Sequence, residues 1–183
     1  MINFLYRLLL TFNSTSLIIV VFLVKEKTVI DWGAKLSFIS GYISYLIYFS
    51  IPVILTYFSL LLAKFLAEDS LEKENNVSKI AEVEQANNAF LPSYLGYFFV
   101  ALSVPYCETL IFVFFILFVF TFFSQTLYFN PLFLLFRYKF YYLTTANRIK
   151  IFLITRKSLK SPSDIDLPIL KRINDFTFID KGK

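Results

Sequence analysis

The feature that most constrains this chain is a stretch of 52 residues, from Gln85 to Phe136, that contains one charged side chain, Glu108. A water-soluble domain in a chain of 183 residues has too little core to bury such a stretch. Hydrophobic residues make up 57% of the chain and charged residues 17%, against roughly 45–50% and about 25% in soluble domains. The sequence therefore predicts a protein that lies in a lipid bilayer.

The apolar residues fall into four blocks, each of a length that suits a membrane-spanning helix of about 20 residues. The blocks are Leu8–Val24 and parts of Leu36–Ala63, Ala89–Cys107 and Thr109–Phe129. Because the turn between the last two blocks is only a few residues long, we expect them to form a helical hairpin. The predicted fold is a membrane α-helical protein: four transmembrane helices in residues 1–136, followed by a small, basic, cytoplasmic β-rich domain in residues 137–183.

The distribution of charge predicts the orientation. The tail after Phe136 carries eleven Lys or Arg and four Asp, a net charge of +7. Basic residues close to the ends of spans stay in the cytoplasm, and an even number of spans puts both termini on one side. We therefore expect a multi-pass membrane protein with cytoplasmic N- and C-termini. The lysines of loop 25–35 oppose this orientation, but the tail outweighs them.

The loop at 64–88 is predicted to be cytoplasmic and to form a helix, a turn and a second helix. Asp69-Ser70 and Asn75-Asn76 are breakers, and Ile80, Val83 and Ala86 recur at helical spacing. Six acidic residues against three lysines give this loop a charge of −3. Such a surface is either solvated or paired, with a basic partner or with the protein's own tail.

The tail predicts three or four strands. Phe140–Thr145 and Ile149–Arg156 alternate in the manner of a β-hairpin, Pro168–Asn174 is a short helix or strand, and Phe176–Ile179 is a final strand. Its cations suit contact with anionic lipid, contact with nucleic acid, or docking of a cytosolic partner, for instance by strand addition to the hairpin edge. Partner docking and lipid contact rank first, because acidic residues are interspersed and no nucleic-acid motif is present. The candidate partner-binding residues are Arg137, Lys139, Arg148, Lys150, Arg156 and Lys157.

Polar side chains inside the first span form a second candidate site. Asn13, Ser14 and Ser16, with their neighbours Thr11 and Thr15, fall near the middle of the membrane. Unsatisfied polar groups there cost several kcal/mol each, so these side chains must contact protein or water. They either hydrogen-bond across a helix interface or line a pore in an oligomer.

Glu108 is the one acidic residue next to a span. It either lies in the outer hairpin turn, where water reaches it, or contributes to an oligomer interface or pore mouth.

The composition argues against catalysis. Histidine is absent, Cys107 is the lone cysteine, and neither of the usual glycine-rich phosphate-binding motifs occurs. We therefore expect no enzymatic activity, no metal and no cofactor. Two functions are open: a non-enzymatic membrane sensor or scaffold that holds a cytosolic effector, or an oligomeric channel or pore-forming effector.

The layout of spans and tail, with the motifs Asn147–Arg156, Lys171-Arg172-Ile173-Asn174 and Phe178-Ile179-Asp180, resembles the KwaA family, the membrane subunits of the Kiwa anti-phage system. The resemblance implies an inner-membrane homo-oligomer, with a tetramer as a candidate size, that responds to phage attack. It also implies a cytosolic DNA-binding partner, KwaB, so that nucleic acid is contacted only through that partner.

Overall fold

The computed structural model describes residues 2–30, 40–71, 80–89, 91–124 and 130–182. Helices and strands follow in the order α1 (Ile2–Lys25), α2 (Ser40–Leu62), β1 (Glu68–Leu71), β2 (Ile80–Gln85), α3 (Leu91–Ser103), α4 (Cys107–Ser124), α5 (Leu132–Leu135), β3 (Lys139–Thr145), β4 (Lys150–Thr155), β5 (Leu167–Arg172) and β6 (Thr177–Asp180). The chain forms two compact units. A sheet unit contains residues 1–8, 59–89 and 131–183, and a helical unit contains residues 9–58 and 90–130.

Three of the described helices are long and apolar enough to cross a membrane: Ile2–Lys25, Gly41–Phe65 and Cys107–Ser124. They correspond to the first, second and fourth predicted spans. Residues 36–39 of the second predicted span and residues 125–129 of the fourth lie outside the described residues. In the region of the third predicted span, α3 has 13 residues, a length of about 20 Å against a bilayer core of about 30 Å. Length and composition thus support three crossings among the described helices.

In the helical unit, α3 and α4 form the predicted hairpin. The hydroxyl groups of Tyr97 on α3 and Thr121 on α4 lie 3.3 Å apart. Tyr94 and Leu110 also pack in one buried cluster with Leu17 of α1. The hairpin is held by this cluster as well as by its short turn.

The sheet has six strands in the order β1-β5-β6-β4-β3-β2, antiparallel except for the parallel pair β4–β6. The predicted hairpin is confirmed, with Phe140 opposite Ile154 and Leu143 opposite Ile151. Residues 168–172 belong to a strand and not a helix, and the final strand is β6. The tail supplies the four central strands, and loop 64–88 supplies both edge strands.

Alternation along β3 and β4 gives the sheet two apolar faces. On one face, Leu143 and Leu153 belong to the main buried cluster of the sheet unit. On the other face, Phe140 stacks on Phe152 with 5.7 Å between ring centroids and meets Phe133 of α5 at 6.2 Å. Both faces of the hairpin are covered, which explains why no residue of β3 is exposed and why all but the first residue of β4 are buried.

The prediction of two helices in loop 64–88 is wrong for its described residues, which form β1 and β2. A β-bulge between Ile80 and Glu82 shifts the register of β2 against β3. The extra residue lets Ile80 and Val83, three positions apart, pack on the same buried cluster. The bulge thus produces a spacing of apolar residues that is also typical of a helix. The predicted breaker at Asn75 and Asn76 lies outside the described residues.

A disulfide tests the pairing of β2 with β3. Glu82 is opposite Thr144, and paired residues have Cα atoms about 4.5–5.5 Å apart, a distance that a disulfide spans. In a Cys107→Ala background, Glu82→Cys with Thr144→Cys should cross-link on mild oxidation, as read by peptide mass spectrometry. The control pair, Glu82→Cys with Arg156→Cys, should not, because Arg156 follows the other end of the hairpin. Equal linkage in both pairs would contradict the register.

Candidate functional site: the cations of the sheet unit

Acidic residues of the loop pair with basic residues of the tail. Glu68 Oε1 accepts from Lys171 Nζ at 2.7 Å, and Asp69 Oδ2 accepts from Arg172 Nε at 3.1 Å and Nη2 at 2.5 Å. The hydrogen bond and charge of Lys171 lower the pKa of the Glu68 carboxyl. Of the alternatives for the loop, pairing with the protein's own tail is the one found for these residues, which join β1 to β5.

Two of the six candidate cations are neutralised in the same way. Lys150 Nζ lies 3.1 Å from Glu84 Oε2 and 4.3 Å from the centroid of the Tyr142 ring. Lys157 Nζ lies 4.0 Å from a carboxylate oxygen of Asp180, whose side chain is 3% exposed. These two lysines therefore stabilise the sheet unit and offer little free charge to a partner.

Three other candidates line one pocket of about 420 Å³: Arg137, Lys139 and Arg156. The rest of its wall is formed by Asn87, Leu134 and Tyr138. No described carboxylate lies within 4.0 Å of the three cations. The pocket is therefore a concavity lined by positive charges that the described acidic groups do not pair.

Arg137 is held by an unusual backbone conformation. It has φ 63°, in the left-handed region. Its N–H donates to Leu134 O at 3.0 Å, and the next N–H, of Tyr138, donates to Phe133 O at 3.1 Å. These two bonds terminate α5 in the motif that usually has glycine at this position. The left-handed backbone costs an arginine about 1–2 kcal/mol relative to glycine. Arginine at this position also adds a cation to the pocket.

The other two pocket cations are also held by neighbours. The Arg156 guanidinium lies over the ring of Tyr138, 4.7 Å from its centroid, and that ring is buried. Lys139 Nζ donates to Ser158 Oγ at 3.1 Å. The three cations therefore converge from the end of α5, the start of β3 and the end of β4.

Arg148 lies at the opposite end of the β3–β4 hairpin, about 20 Å away for a seven-residue strand. It also has a left-handed backbone, φ 60°, and closes the turn by donating its N–H to Thr145 O at 2.8 Å. Near it, Ile149 is 47% exposed and Phe176 is 58% exposed. Phe176 is brought to this end by its carbonyl, which accepts from Phe152 N at 2.7 Å. A cation and two apolar side chains thus form what we call the turn patch: Arg148, Ile149 and Phe176.

Strand addition to the hairpin edge is wrong as a docking mode. The outer edge of β3 is paired with β2, and that of β4 with β6. The hairpin lies inside the sheet, and its backbone groups are already used by neighbouring strands.

Lys181, which sequence reasoning missed, binds the end of a helix. Its Nζ donates to Leu60 O at 2.6 Å and to the hydroxyl of Tyr138 at 3.3 Å. Leu60 is in the last turn of α2, where carbonyl groups lack intrahelical partners. Burial, with the nearby charges of Arg156 and Lys64, lowers the pKa of Lys181 to about 8. This ammonium caps α2 in a positively charged neighbourhood.

In the helical unit, Asn13 is fully buried and joins α1 to its neighbours. With its amide oriented so that donors meet acceptors, its oxygen accepts from Thr56 Oγ1 at 2.7 Å and from Asn130 Nδ2 at 2.9 Å. In the same orientation its nitrogen donates to Pro52 O at 3.1 Å. The interpretation of this cluster as hydrogen bonding across helix contacts is confirmed for Asn13.

The hydroxyl groups of the serines beside Asn13 donate hydrogen bonds to backbone carbonyl groups of α1. Ser14 Oγ donates to Thr11 O at 2.9 Å and Ser16 Oγ to Asn13 O at 2.7 Å, while Ser14 O accepts from the Tyr94 hydroxyl at 2.8 Å. Residues 11 and 13–16 are at most 6% exposed. Within one chain these groups are therefore buried, and Ser16 also lines a pocket of about 190 Å³ with residues of α1 and α2.

The model of the family described as anti-phage protein KwaA matches residues 6–179. The chain belongs to the KwaA family of anti-phage proteins. The matched range runs from α1 into β6 and so includes residues of both compact units. No curated protein and no solved structure matches the chain significantly. The resemblance noted in the tail motifs is thereby confirmed.

In this KwaA-family protein, Glu108 is exposed in the first turn of α4. A carboxylate there is favoured by the partial positive charge of the helix N-terminus. Lys25 Nζ, at the end of α1, donates to Val104 O in the same turn at 2.5 Å. The position agrees with the hairpin-turn interpretation, and a role at an oligomer interface stays a prediction.

Removing the Asn13 amide should destabilise the helical unit. Asn13→Leu loses bonds to Thr56 and Asn130, and we expect unfolding to become easier by about 0.6–1.7 kcal/mol, the range for polar contacts between membrane helices. Ser16→Ala is the matched control, because its hydroxyl bonds only within α1. Thermal unfolding in detergent, followed by circular dichroism, compares them. Equal shifts would contradict the assigned role of Asn13.

Lys181 should titrate near pH 8 in the folded protein. Between that pH and about 10.5 the unfolded chain holds this proton more tightly than the folded one, so Lys181 makes the free energy of unfolding rise with pH across this window. Carbon-13 NMR of dimethylated lysines in the full-length protein measures the titration. Lys181→Met should remove the signal and Lys160→Met should retain it; a signal unchanged in both variants would refute the assignment.

Proposed function

We propose that this protein is a non-enzymatic membrane sensor and scaffold of a bacterial anti-phage complex, which holds a cytosolic DNA-binding effector on its sheet unit. Membership of the KwaA family supports the defence role. The single observation that carries the scaffold role is the sheet unit itself, in which loop and tail build one folded surface with a free turn patch. The effector would be a KwaB-like subunit, and nucleic acid would be reached only through it.

The proposal includes four crossings of the inner membrane with cytoplasmic termini. The pairing of β2 with β3 supports this count, because the chain leaves the sheet before α3 and returns to it after α4. If α4 crosses the membrane, the segment with α3 must cross as well. Near the N-terminus, Asn3 Nδ2 donates to Arg172 O at 3.2 Å, which puts the start of α1 beside the sheet.

The proposal also includes a homo-oligomer, for which a tetramer is a candidate size. Helix α4 supports it, because only 11% of its 18 residues are buried. Among its exposed side chains are Ile111, Phe112, Phe115, Phe120 and Phe123. This apolar surface suits lipid or the helices of further copies.

The turn patch is the proposed effector contact. Aromatic residues and arginine are enriched among the residues that dominate binding energy at interfaces, and the patch combines Phe176 with Arg148. It lies at the opposite end of the hairpin from the pocket, so the two surfaces are available for different ligands. An effector with an acidic and apolar contact surface would complement it.

Co-purification tests the scaffold role. The full-length protein, expressed with the soluble protein encoded next to it and isolated in mild detergent, should retain that partner. Phe176→Ser with Arg148→Gly should reduce the retained partner at least about ten-fold, the effect of losing about 1.4 kcal/mol of contact. Lys160→Glu, an exposed charge change outside the turn patch, is the control. Absence of a retained partner in the unmodified protein would refute the scaffold function.

A further inference from the structure

The pocket of Arg137, Lys139 and Arg156 has the chemistry of an anion site. Its lining contributes three cations, one amide and no carboxylate. Arginine donates paired N–H groups that match phosphate oxygens, and it keeps its charge at any physiological pH. Asp180, whose charge acts on Tyr138 of the lining, is itself buried and already accepts from Thr155 Oγ1 at 2.6 Å and from Gly182 N at 2.8 Å. The positive charge of the pocket is therefore open to an external anion.

The position of the pocket favours one class of anion, the headgroup of a phospholipid. Its Tyr138 wall is hydrogen-bonded by Lys181, which in turn caps Leu60 in the last turn of α2. Because α2 is one of the three helices able to cross a membrane, the pocket lies beside the end of a candidate span. Phospholipid headgroups occupy this depth, immediately outside the hydrocarbon core.

The apolar side chains near the pocket favour an amphiphile over a free ion. Leu134 lines the pocket, and its neighbour Leu135 is 61% exposed. An exposed leucine two residues before Arg137 matches a lipid, which presents a phosphate and an apolar body together.

We propose that this pocket binds the phosphate group of an anionic phospholipid, with Arg137, Lys139 and Arg156 as its cationic ligands. The inference rests on the membrane location in the proposed function but not on recruitment of an effector. It gives the sensor a lipid contact at the base of the sheet unit. The lowered pKa of Lys181, to which Arg156 contributes, agrees with a positive potential at this place.

The chain provides a matched pair of variants for the test. Arg137 and Arg148 both have left-handed backbones, with φ 63° and φ 60°. Glycine adopts this conformation readily, so Arg137→Gly and Arg148→Gly each remove one charge without backbone strain. Only Arg137 lines the pocket. Equal thermal midpoints for the two variants show that differences in binding do not come from misfolding.

The measurement is anisotropy of a fluorescent phosphatidylglycerol that binds to the full-length protein in neutral detergent. Phosphatidylglycerol should bind more tightly than phosphatidylcholine with the same acyl chains. Arg137→Gly should weaken binding about five-fold, the factor that corresponds to about 1 kcal/mol per cation near the membrane surface, and Arg156→Gln should do the same. Arg148→Gly should bind like the unmodified protein.

Three results would overturn the proposal. Equal weakening by Arg148→Gly would indicate diffuse surface charge, and equal binding of phosphatidylcholine would remove the role of the anionic headgroup. Competition by millimolar inorganic phosphate as effective as by unlabelled lipid would assign the pocket to a soluble phosphate. Co-purification of the effector with Arg137→Gly separates this proposal from the scaffold role, because lipid binding should fall while the effector is retained.

Discussion

The pairing of β2 with β3 is the interaction on which the rest of the architecture depends. These strands are neighbours in the sheet but are separated in sequence by the whole α3–α4 hairpin. Because an edge strand needs a partner for its backbone groups, β2 joins the sheet only if the chain returns from α4 to the place where it entered α3. The sheet therefore couples the path of the helices to the folding of the tail.

Electrostatics inside the sheet unit decide which cations remain for function. The tail carries a net charge of +7, yet Lys150, Lys171 and Arg172 are paired with acidic residues of the loop. The exposed pair of Lys150 with Glu84 contributes little stability, about 0–1 kcal/mol. The larger consequence of the pairing is spatial: of the six candidate cations, the described acidic groups leave unpaired the three that line the pocket and Arg148 in the turn patch. A basic tail that looks uniform in sequence thus has two separate cationic surfaces.

The sequence predicted the features that depend on local pattern and missed those that depend on distant contacts. The β3–β4 hairpin followed from strict alternation, and the two strands pair as an antiparallel hairpin. The bulge at Ile80 hid β2, because one extra residue turns a period of two into an apparent period of three. Of the six candidate cations, no local pattern could separate Arg137 from Lys150, since the difference is the carboxylate of Glu84, 66 residues away.

Lys181 shows the same limit more sharply. Its partner carbonyl, on Leu60, is 121 residues away, and no motif near the C-terminus points to a helix end. The sequence narrowed the environment of Asn13 to protein or water, because an amide cannot stay unpaired in hydrocarbon. In general, the sequence indicates whether a segment lies in lipid or in water and whether it is a helix or a strand. It does not indicate which distant residue a side chain will contact.

The two left-handed arginines connect stability with function. At Arg137 the backbone ends α5, and at Arg148 it closes the hairpin turn; both positions favour glycine. A sequence shaped by folding alone gains about 1–2 kcal/mol at each position by using glycine. The chain instead has arginine at both, one in the pocket and one in the turn patch. Under the proposed function, cations at the two ends of this hairpin would connect a lipid contact at one end with an effector contact at the other, because β3 and β4 are paired continuously from Lys139 and Thr155 to Thr144 and Lys150.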